Sequence, residues 1–193
     1  KVTSKLVPFM ALAYILLSLT VITLNADKLP WAIHAIFTEA FDPVAMSGGF
    51  IGVMILGFQR AVFSNEAGIG SAAIAHSAVR TDEPSTEGYV ALMEPFIDTV
   101  VICTMTALVI LTTIYHPGLA GAGVQGVAMT SQAFASTLSW SPVPLSFIAI
   151  LFAFSTMISW SYYGLKGWTY LVGEGRNKEI AFKFFFCCFG ALG

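Results

Sequence analysis

The residues with the clearest chemical potential lie together in one segment, Phe63-Ser64-Asn65-Glu66-Ala67-Gly68-Ile69-Gly70-Ser71. Residues 43–59 and 67–79 carry no formal charge, so Glu66 is expected at the depth of a lipid bilayer. An ionised carboxylate there is costly unless it faces a cavity or a partner, which makes this segment a candidate functional site. Its two glycines allow a helix to unwind, and the freed backbone groups are tolerated in lipid only where protein or water satisfies them. Interrupted helices of this kind build the substrate and ion sites of secondary transporters.

The composition places the chain among membrane proteins. Hydrophobic residues make up 56% of it and charged residues only 10%, whereas soluble domains carry roughly 25% charged residues. Residues 6–26 and 99–165 contain no Asp, Glu, Lys or Arg, and a membrane span needs about 20 apolar residues. We therefore expect an all-α polytopic membrane protein. The net charge of −2 argues against nucleic acid as a partner.

The apolar runs predict the positions of the membrane spans within a single partial transmembrane domain, residues 1–193. The predicted spans are about 7–24, 43–79, 88–113 and 143–164, followed by a truncated span from about 180. The second run is too long for one crossing and is expected to be broken near 64–70. Short helices are expected in the connections, at about 30–41 and 128–138. Seven Lys and Arg residues fall on the side of the N-terminus and only Lys28 on the other, which predicts a cytoplasmic N-terminus.

Several segments together resemble one known family. Residues 57–76, Gly-Phe-Gln-Arg-Ala-Val-Phe-Ser-Asn-Glu-Ala-Gly-Ile-Gly-Ser-Ala-Ala-Ile-Ala-His, closely resemble the signature of the alanine/glycine:cation symporters, also called sodium:alanine symporters. Residues 95–99, 103–112 and 152–164 look like later blocks of the same family, in the same order. The resemblance covers essentially the whole chain.

That resemblance implies an architecture similar to the leucine-transporter fold, with two inverted repeats of five helices. The span at 7–24 would be the last helix of the first repeat, and the broken span at 43–79 the first helix of the second. The first four core helices would then be missing from this chain. We expect those N-terminal helices of the same transporter to supply the other half of the substrate and sodium site.

The function implied by the resemblance is sodium-coupled symport of a small neutral amino acid such as alanine or glycine, with the sodium ion co-transported. The protein would be a multi-pass protein of the cell membrane, here a prokaryotic inner membrane. Coupling to protons instead of sodium stays open. The alternatives are a non-transporting membrane subunit or a transporter of another small solute in the same superfamily. An enzyme is not expected, because the sequence offers no nucleophile paired with a base and no set of metal ligands.

The candidate substrate-binding residues surround the expected break. Carbonyl groups freed between Ser64 and Gly70 would accept hydrogen bonds from a substrate ammonium group, and glycine at positions such as Gly68 lets a small molecule approach the backbone. A simple glycine kink for helix packing is the alternative. The resemblance suggests that aromatic and aliphatic side chains line the pocket, although ordinary burial would also explain them. These pocket residues are Phe63 and Ile69. Trp160 lies one turn beyond Thr156 on the same face and would close the pocket towards the cytoplasm, with ordinary packing as the alternative.

The resemblance also implies a sodium site on the span at 143–164, formed by Ala153, Ser155 and Thr156, beside Ser159. The alternative is that the hydroxyl groups donate to carbonyls one turn earlier, as Ser and Thr commonly do in membrane helices. A second group of residues is expected to hold or gate the break rather than to bind substrate. These residues are Arg60, Asn65, Glu66 and Asp98.

Ordinary structural roles are expected for the ionisable side chains at positions 76, 94 and 98. Glu94 and Asp98 are expected to pair with Arg60, Arg80 or the backbone of a neighbouring helix. His76 is expected to be solvated or to cap the end of its helix, because its spacing from Glu66 matches no zinc-binding pattern.

Overall fold

The computed structural model describes residues 3–39, 54–55, 57–58, 66–115 and 126–192. These residues contain helices and no β-strand, which confirms the prediction of an all-α membrane protein. The main helices are α1 (Thr3–Leu24), α2 (Leu29–Glu39), α3 (Glu66–Ile69), α4 (Ala72–His76), α5 (Pro84–Thr113), α6 (Val127–Thr137), α7 (Pro142–Val172) and α8 (Arg176–Leu192). A short 3₁₀ helix, Ala26–Lys28, lies between α1 and α2.

Three of these helices are long and apolar enough to cross a membrane. They comprise Lys5–Leu24 of α1, the whole of α5 and the whole of α7, with 20, 30 and 31 residues, and about 20 residues suffice to cross the hydrocarbon layer. Most of their surface lies at the outside of the described structure, as for Phe9, which is 64% exposed. Such faces contact lipid or further helices in a membrane protein.

A small core forms where α1, α5, α6 and α7 meet. Its buried side chains are Leu17, Val21, Ile22, Val109, Ala133, Phe134 and Leu145. Polar contacts accompany it: the Tyr14 and Thr106 hydroxyl oxygens lie 2.6 Å apart, and the Asn25 amide donates to Thr137 Oγ1 over 3.0 Å. These contacts hold α1 against both α5 and α6. α7 packs against these three helices.

The ends of the two longest helices follow local chemistry. α5 begins with Pro84 in its first turn, where the missing N–H of proline has no cost. α7 extends beyond the predicted end at 164 and stops at Gly173, whose φ of +85° lies in the left-handed region that favours glycine. The charge of Lys166 ended the uncharged run in the sequence but does not end the helix.

The hydrogen-bond pattern of α5 changes in its middle. The eight residues Phe96–Cys103 form a π-helical segment directly after Pro95. Proline inside a helix lacks the N–H of the regular pattern and clashes with the preceding turn, and wider π turns accommodate such a fault. Glu94 therefore lies in the α-helical part and Asp98 in the π-helical part, so their spacing of four residues is not one regular turn.

Candidate functional site

The polar segment of the second predicted span is interrupted at Gly70. α3 ends at Ile69 and α4 begins at Ala72, and between them Gly70 adopts a φ of +82°. Glycine reaches this left-handed conformation without the steric cost that other residues incur. The new helical turn starts from Ser71, whose carbonyl accepts the Ile74 and Ala75 N–H groups over 2.9 and 3.1 Å.

Glu66 lies at the centre of the contacts around this interruption. Its carboxylate accepts a hydrogen bond from the Ser71 hydroxyl on the far side of Gly70. The Tyr163 hydroxyl of α7 also contacts this carboxylate and the Ser159 hydroxyl. Glu66 thus links the two short helices to each other and to α7, an arrangement that suits a residue holding the interruption in place.

Glu94 of α5 joins the same network from the other side. Its Oε1 accepts the backbone N–H of Glu66 over 3.1 Å, in line with the expectation that Glu94 pairs with the backbone of a neighbouring helix. Its Oε2 lies 3.8 Å from Nε2 of His76, the last residue of α4. One carboxylate therefore reaches both ends of the interrupted helix.

The His76 side chain contacts a carboxylate rather than being solvated or capping a helix. Its Nδ1 lies 2.5 Å from Glu87 Oε1, and the His76 side chain is only 23% exposed. The sequence reasoning missed this pair because the two residues are eleven positions apart. The available signal was the tight turn at 80–84 with Pro84, which folds the start of α5 back along α4.

Two clefts lie where α4 faces α7. One has a volume of about 330 Å³ and is lined by Ala75, Ile158, Ser159, Tyr162 and Tyr163. The other, of about 580 Å³, is lined by Ala73, Ile74, Ser77, Ala78, Tyr162, Lys166, Gly167 and Tyr170. Both clefts are open at the surface of the described residues.

The predicted sodium residues on α7 do not share one face. Ser155 is 6% exposed and its hydroxyl donates to the Phe152 carbonyl over 2.9 Å. Ser159 in turn donates to the Ser155 carbonyl over 3.2 Å. Both hydroxyls therefore make the back-bonds that were the alternative interpretation, although each oxygen keeps lone pairs that can face a cation. Ala153 and Thr156 are exposed on another side of the helix.

The remaining predicted residues divide between described and undescribed parts of the chain. Trp160 is 41% exposed, one turn beyond Thr156 on α7. Ile69 is half-buried at the interruption, and Asp98 is half-buried in the π-helical segment, where it interacts with a neighbouring group. Gly68 lies within α3. Four predicted residues lie outside the described residues: Arg60, Phe63, Ser64 and Asn65.

Comparison with known proteins gives consistent matches along the whole chain. A family model described as "Sodium:alanine symporter family" matches residues 1–193. The "Sodium/alanine symporter AgcS" of Methanococcus maripaludis is 39% identical over 187 residues, which cover 94% of this chain and 41% of that protein.

Two bacterial proteins give similar alignments. An "Uncharacterized transporter" of Haemophilus influenzae is 40% identical over 178 residues, covering 89% of this chain and 38% of that protein. The "Amino-acid carrier protein AlsT" of Bacillus subtilis is 37% identical over 166 residues, which cover 84% of this chain and 34% of that protein. The chain spans about two fifths of the length of the first curated relatives that it matches.

Proposed function

The chain belongs to the sodium:alanine symporter family, and on that premise we propose that it forms part of a sodium-coupled symporter of small neutral amino acids such as alanine or glycine. The observation that carries the proposal is the interruption at Gly70, bridged by the Glu66–Ser71 hydrogen bond. A span that is broken and internally bridged offers backbone groups to a ligand, which a continuous helix does not.

The substrate site would lie at this interruption. Carbonyl groups freed between Ser64 and Gly70 would bind the substrate ammonium group, and the absence of side chains at Gly68 and Gly70 would leave room for a small molecule. Phe63, Ile69 and Trp160 would then line the pocket around a methyl-sized side chain. Glu66 would hold the break through Ser71, with Arg60, Asn65 and Asp98 as further structural or gating residues.

The co-transported sodium ion would be a second cargo, bound on α7. Sodium is a hard cation that prefers oxygen ligands, and Ala153, Ser155 and Thr156 offer backbone and hydroxyl oxygens. Thr156 and Ala153 lie on an exposed side of α7. That exposure supports a site completed by other helices of a longer transporter. By analogy with the leucine-transporter fold, those helices would carry a second interrupted span opposite α3 and α4.

The proposed orientation follows from the distribution of positive charge. A cytoplasmic N-terminus puts the turn at Arg80 and the C-terminal part of α7, which contains Lys166, on the cytoplasmic side. The clefts between α4 and α7 would then lie in the cytoplasmic half of a cell-membrane protein. We also infer transport rather than catalysis, because the assigned family is one of transporters.

The experiment is an equilibrium binding measurement on a purified full-length transporter that contains this chain. Radiolabelled alanine is expected to bind in sodium but not in an equal concentration of choline, and unlabelled glycine is expected to displace it. Unlabelled leucine serves as the matched control, because its larger side chain should not fit a pocket lined by Phe63, Ile69 and Trp160. Alanine binding that is equal in sodium and choline, or absent in both, would overturn the proposal.

A further inference from the structure

The junction of α3, α4 and α5 contains a group of titratable side chains that the proposed substrate and sodium sites do not use. We propose that it is a proton-binding site, in which a proton on His76 Nε2 or Glu94 Oε2 makes the 3.8 Å contact between these atoms attractive and so holds the interrupted helix against α5. The inference rests on the proposed function and deepens it. It makes the contact between the interrupted helix and α5 depend on pH.

The positions of the atoms show where a proton would bind. His76 Nδ1 lies 2.5 Å from Glu87 Oε1, so Nδ1 carries a hydrogen and donates it to that carboxylate. In a neutral imidazole the other nitrogen, Nε2, then carries a lone pair. This Nε2 is buried and has no hydrogen-bond partner within the described residues, and it faces Glu94 Oε2 at 3.8 Å. Two lone pairs face each other unless a proton is added.

One added proton makes this contact favourable in either of two positions. On Nε2 it creates an imidazolium that attracts the Glu94 carboxylate, and on Oε2 it creates an O–H group directed at the Nε2 lone pair. No bond other than that to the proton forms or breaks. Leaving a buried polar atom such as Nε2 unpaired costs free energy that the proton removes.

The charged groups around His76 come from every neighbouring element. Glu66 approaches from α3, Glu87 and Glu94 from α5, and the Tyr163 hydroxyl from α7 contacts Glu66. Within the described residues, no Lys or Arg nitrogen forms an ion pair with these three carboxylates. Among the described residues, the surroundings include the basic groups of Arg80, exposed in the turn before α5, and Lys166, in the adjoining cleft. An added proton therefore reduces the repulsion among carboxylates that form no ion pair with a described Lys or Arg.

Glu94 connects this proton to the interruption. Its Oε1 accepts the N–H of Glu66, the first residue of α3, while its Oε2 faces His76, the last residue of α4. With the added proton, both ends of the interrupted helix are held against α5. Proton binding falls as the pH rises, so we expect this contact to hold at acidic pH and to weaken at higher pH.

The variant Glu94→Gln tests the proposal because an amide reproduces the protonated carboxyl. Its oxygen can still accept the Glu66 N–H, and its NH₂ group can donate permanently to His76 Nε2. In the full-length transporter, sodium-driven alanine uptake is expected to lose several-fold in apparent affinity as the pH rises from about 5 to 8. The Glu94→Gln variant is expected to keep its affinity over that range.

Glu83→Gln is the matched control, since Glu83 is exposed just before α5 and the change removes an equal charge. Its pH profile should follow that of the wild type. An unchanged pH dependence in Glu94→Gln would overturn the proposal.

A second readout separates this proposal from the proposed function. Nuclear magnetic resonance of isotope-labelled histidine follows proton binding without any transport, and the His76 signal is identified by its loss in His76→Gln. The titration curve of His76 is expected to change in Glu94→Gln and to stay as in the wild type in Glu83→Gln. Identical curves in all three proteins would overturn the proton site even if uptake is sodium-coupled. Absence of alanine uptake alongside the expected curves would instead contradict the proposed function.

Discussion

Replacing Gly70 with alanine tests whether transport needs the left-handed backbone conformation at the interruption. A Cβ added at Gly70 would meet no atom within 4 Å, whereas the φ of +82° is a conformation that side-chain-bearing residues rarely adopt. The left-handed conformation costs such a residue roughly 1–2 kcal/mol, which corresponds to a factor of about 5 to 30 in a conformational equilibrium. We therefore expect Gly70→Ala to raise the alanine concentration for half-maximal uptake by a factor of that order.

Gly88→Ala provides a matched control within α5. A Cβ at Gly88 also meets nothing within 4 Å, and Gly88 has no left-handed φ. Alanine in the middle of a helix is more stable than glycine by roughly 0.5–1 kcal/mol. The two variants should therefore change the free energy of unfolding in opposite directions, and Gly88→Ala should leave alanine uptake unchanged.

The assay measures both variants in the full-length transporter, with uptake in liposomes and unfolding by denaturant in detergent. If Gly70→Ala matched Gly88→Ala in both measurements, the interruption at Gly70 would be unnecessary and the reasoning from its backbone would be refuted.

Three further results are expected. Thr156→Ala should raise the sodium concentration for half-maximal uptake at unchanged membrane expression, because it removes a proposed oxygen ligand, while Thr130→Ala on α6 should not. Glu39→Gln should lower the pKa of Tyr115 in an ultraviolet titration. The hydrogen bond to Glu39, followed by burial and charge repulsion, raises this pKa above its ordinary value of 10.0. The purified 193-residue chain alone should not accumulate alanine in liposomes under a sodium gradient, because the proposed site requires additional helices.

Each of these results has a contradicting outcome. An unchanged sodium dependence would exclude Thr156 as an ion ligand. An unchanged Tyr115 titration would show that the 3.1 Å hydrogen bond to Glu39 does not persist in solution. The Tyr115–Glu39 hydrogen bond stabilises the fold at pH values below the ordinary tyrosine pKa. This contribution is lost as the pH rises through the raised pKa of Tyr115. Alanine accumulation by the chain alone would refute the proposal of an incomplete site.

The elements that depend on long apolar runs were predictable from the sequence. The uncharged stretch at 6–26 predicts a helix because only a helix satisfies its backbone in lipid, and α1 occupies it. Pro84 likewise marks the start of α5. The end of α7 was less predictable. Lys166 interrupts the apolar run, yet its ammonium lies 5.5 Å from the centre of the Tyr162 ring, and a lysine stem can cover apolar surface while its charge reaches water.

The contacts of the candidate site depend on tertiary geometry that composition does not encode. The glycine-flanked Glu66 was recognisable as a site because a carboxylate at bilayer depth needs a partner, but Ser71 and Tyr163 as partners follow only from the folded arrangement. The His76–Glu87 pair arises from the turn that joins α4 to α5. The π-helical segment after Pro95 likewise alters the face on which each later residue lies.

The central claim is that sodium and a small amino acid cross the membrane together. Measuring the sodium flux and the alanine flux in the same liposomes tests it. A full-length transporter containing this chain is reconstituted, and radiolabelled sodium and radiolabelled alanine are followed in parallel. We predict that external alanine increases sodium influx and that an inward sodium gradient drives alanine accumulation above the external concentration. Sodium influx that does not respond to alanine, together with alanine entry that does not respond to sodium, would contradict the account.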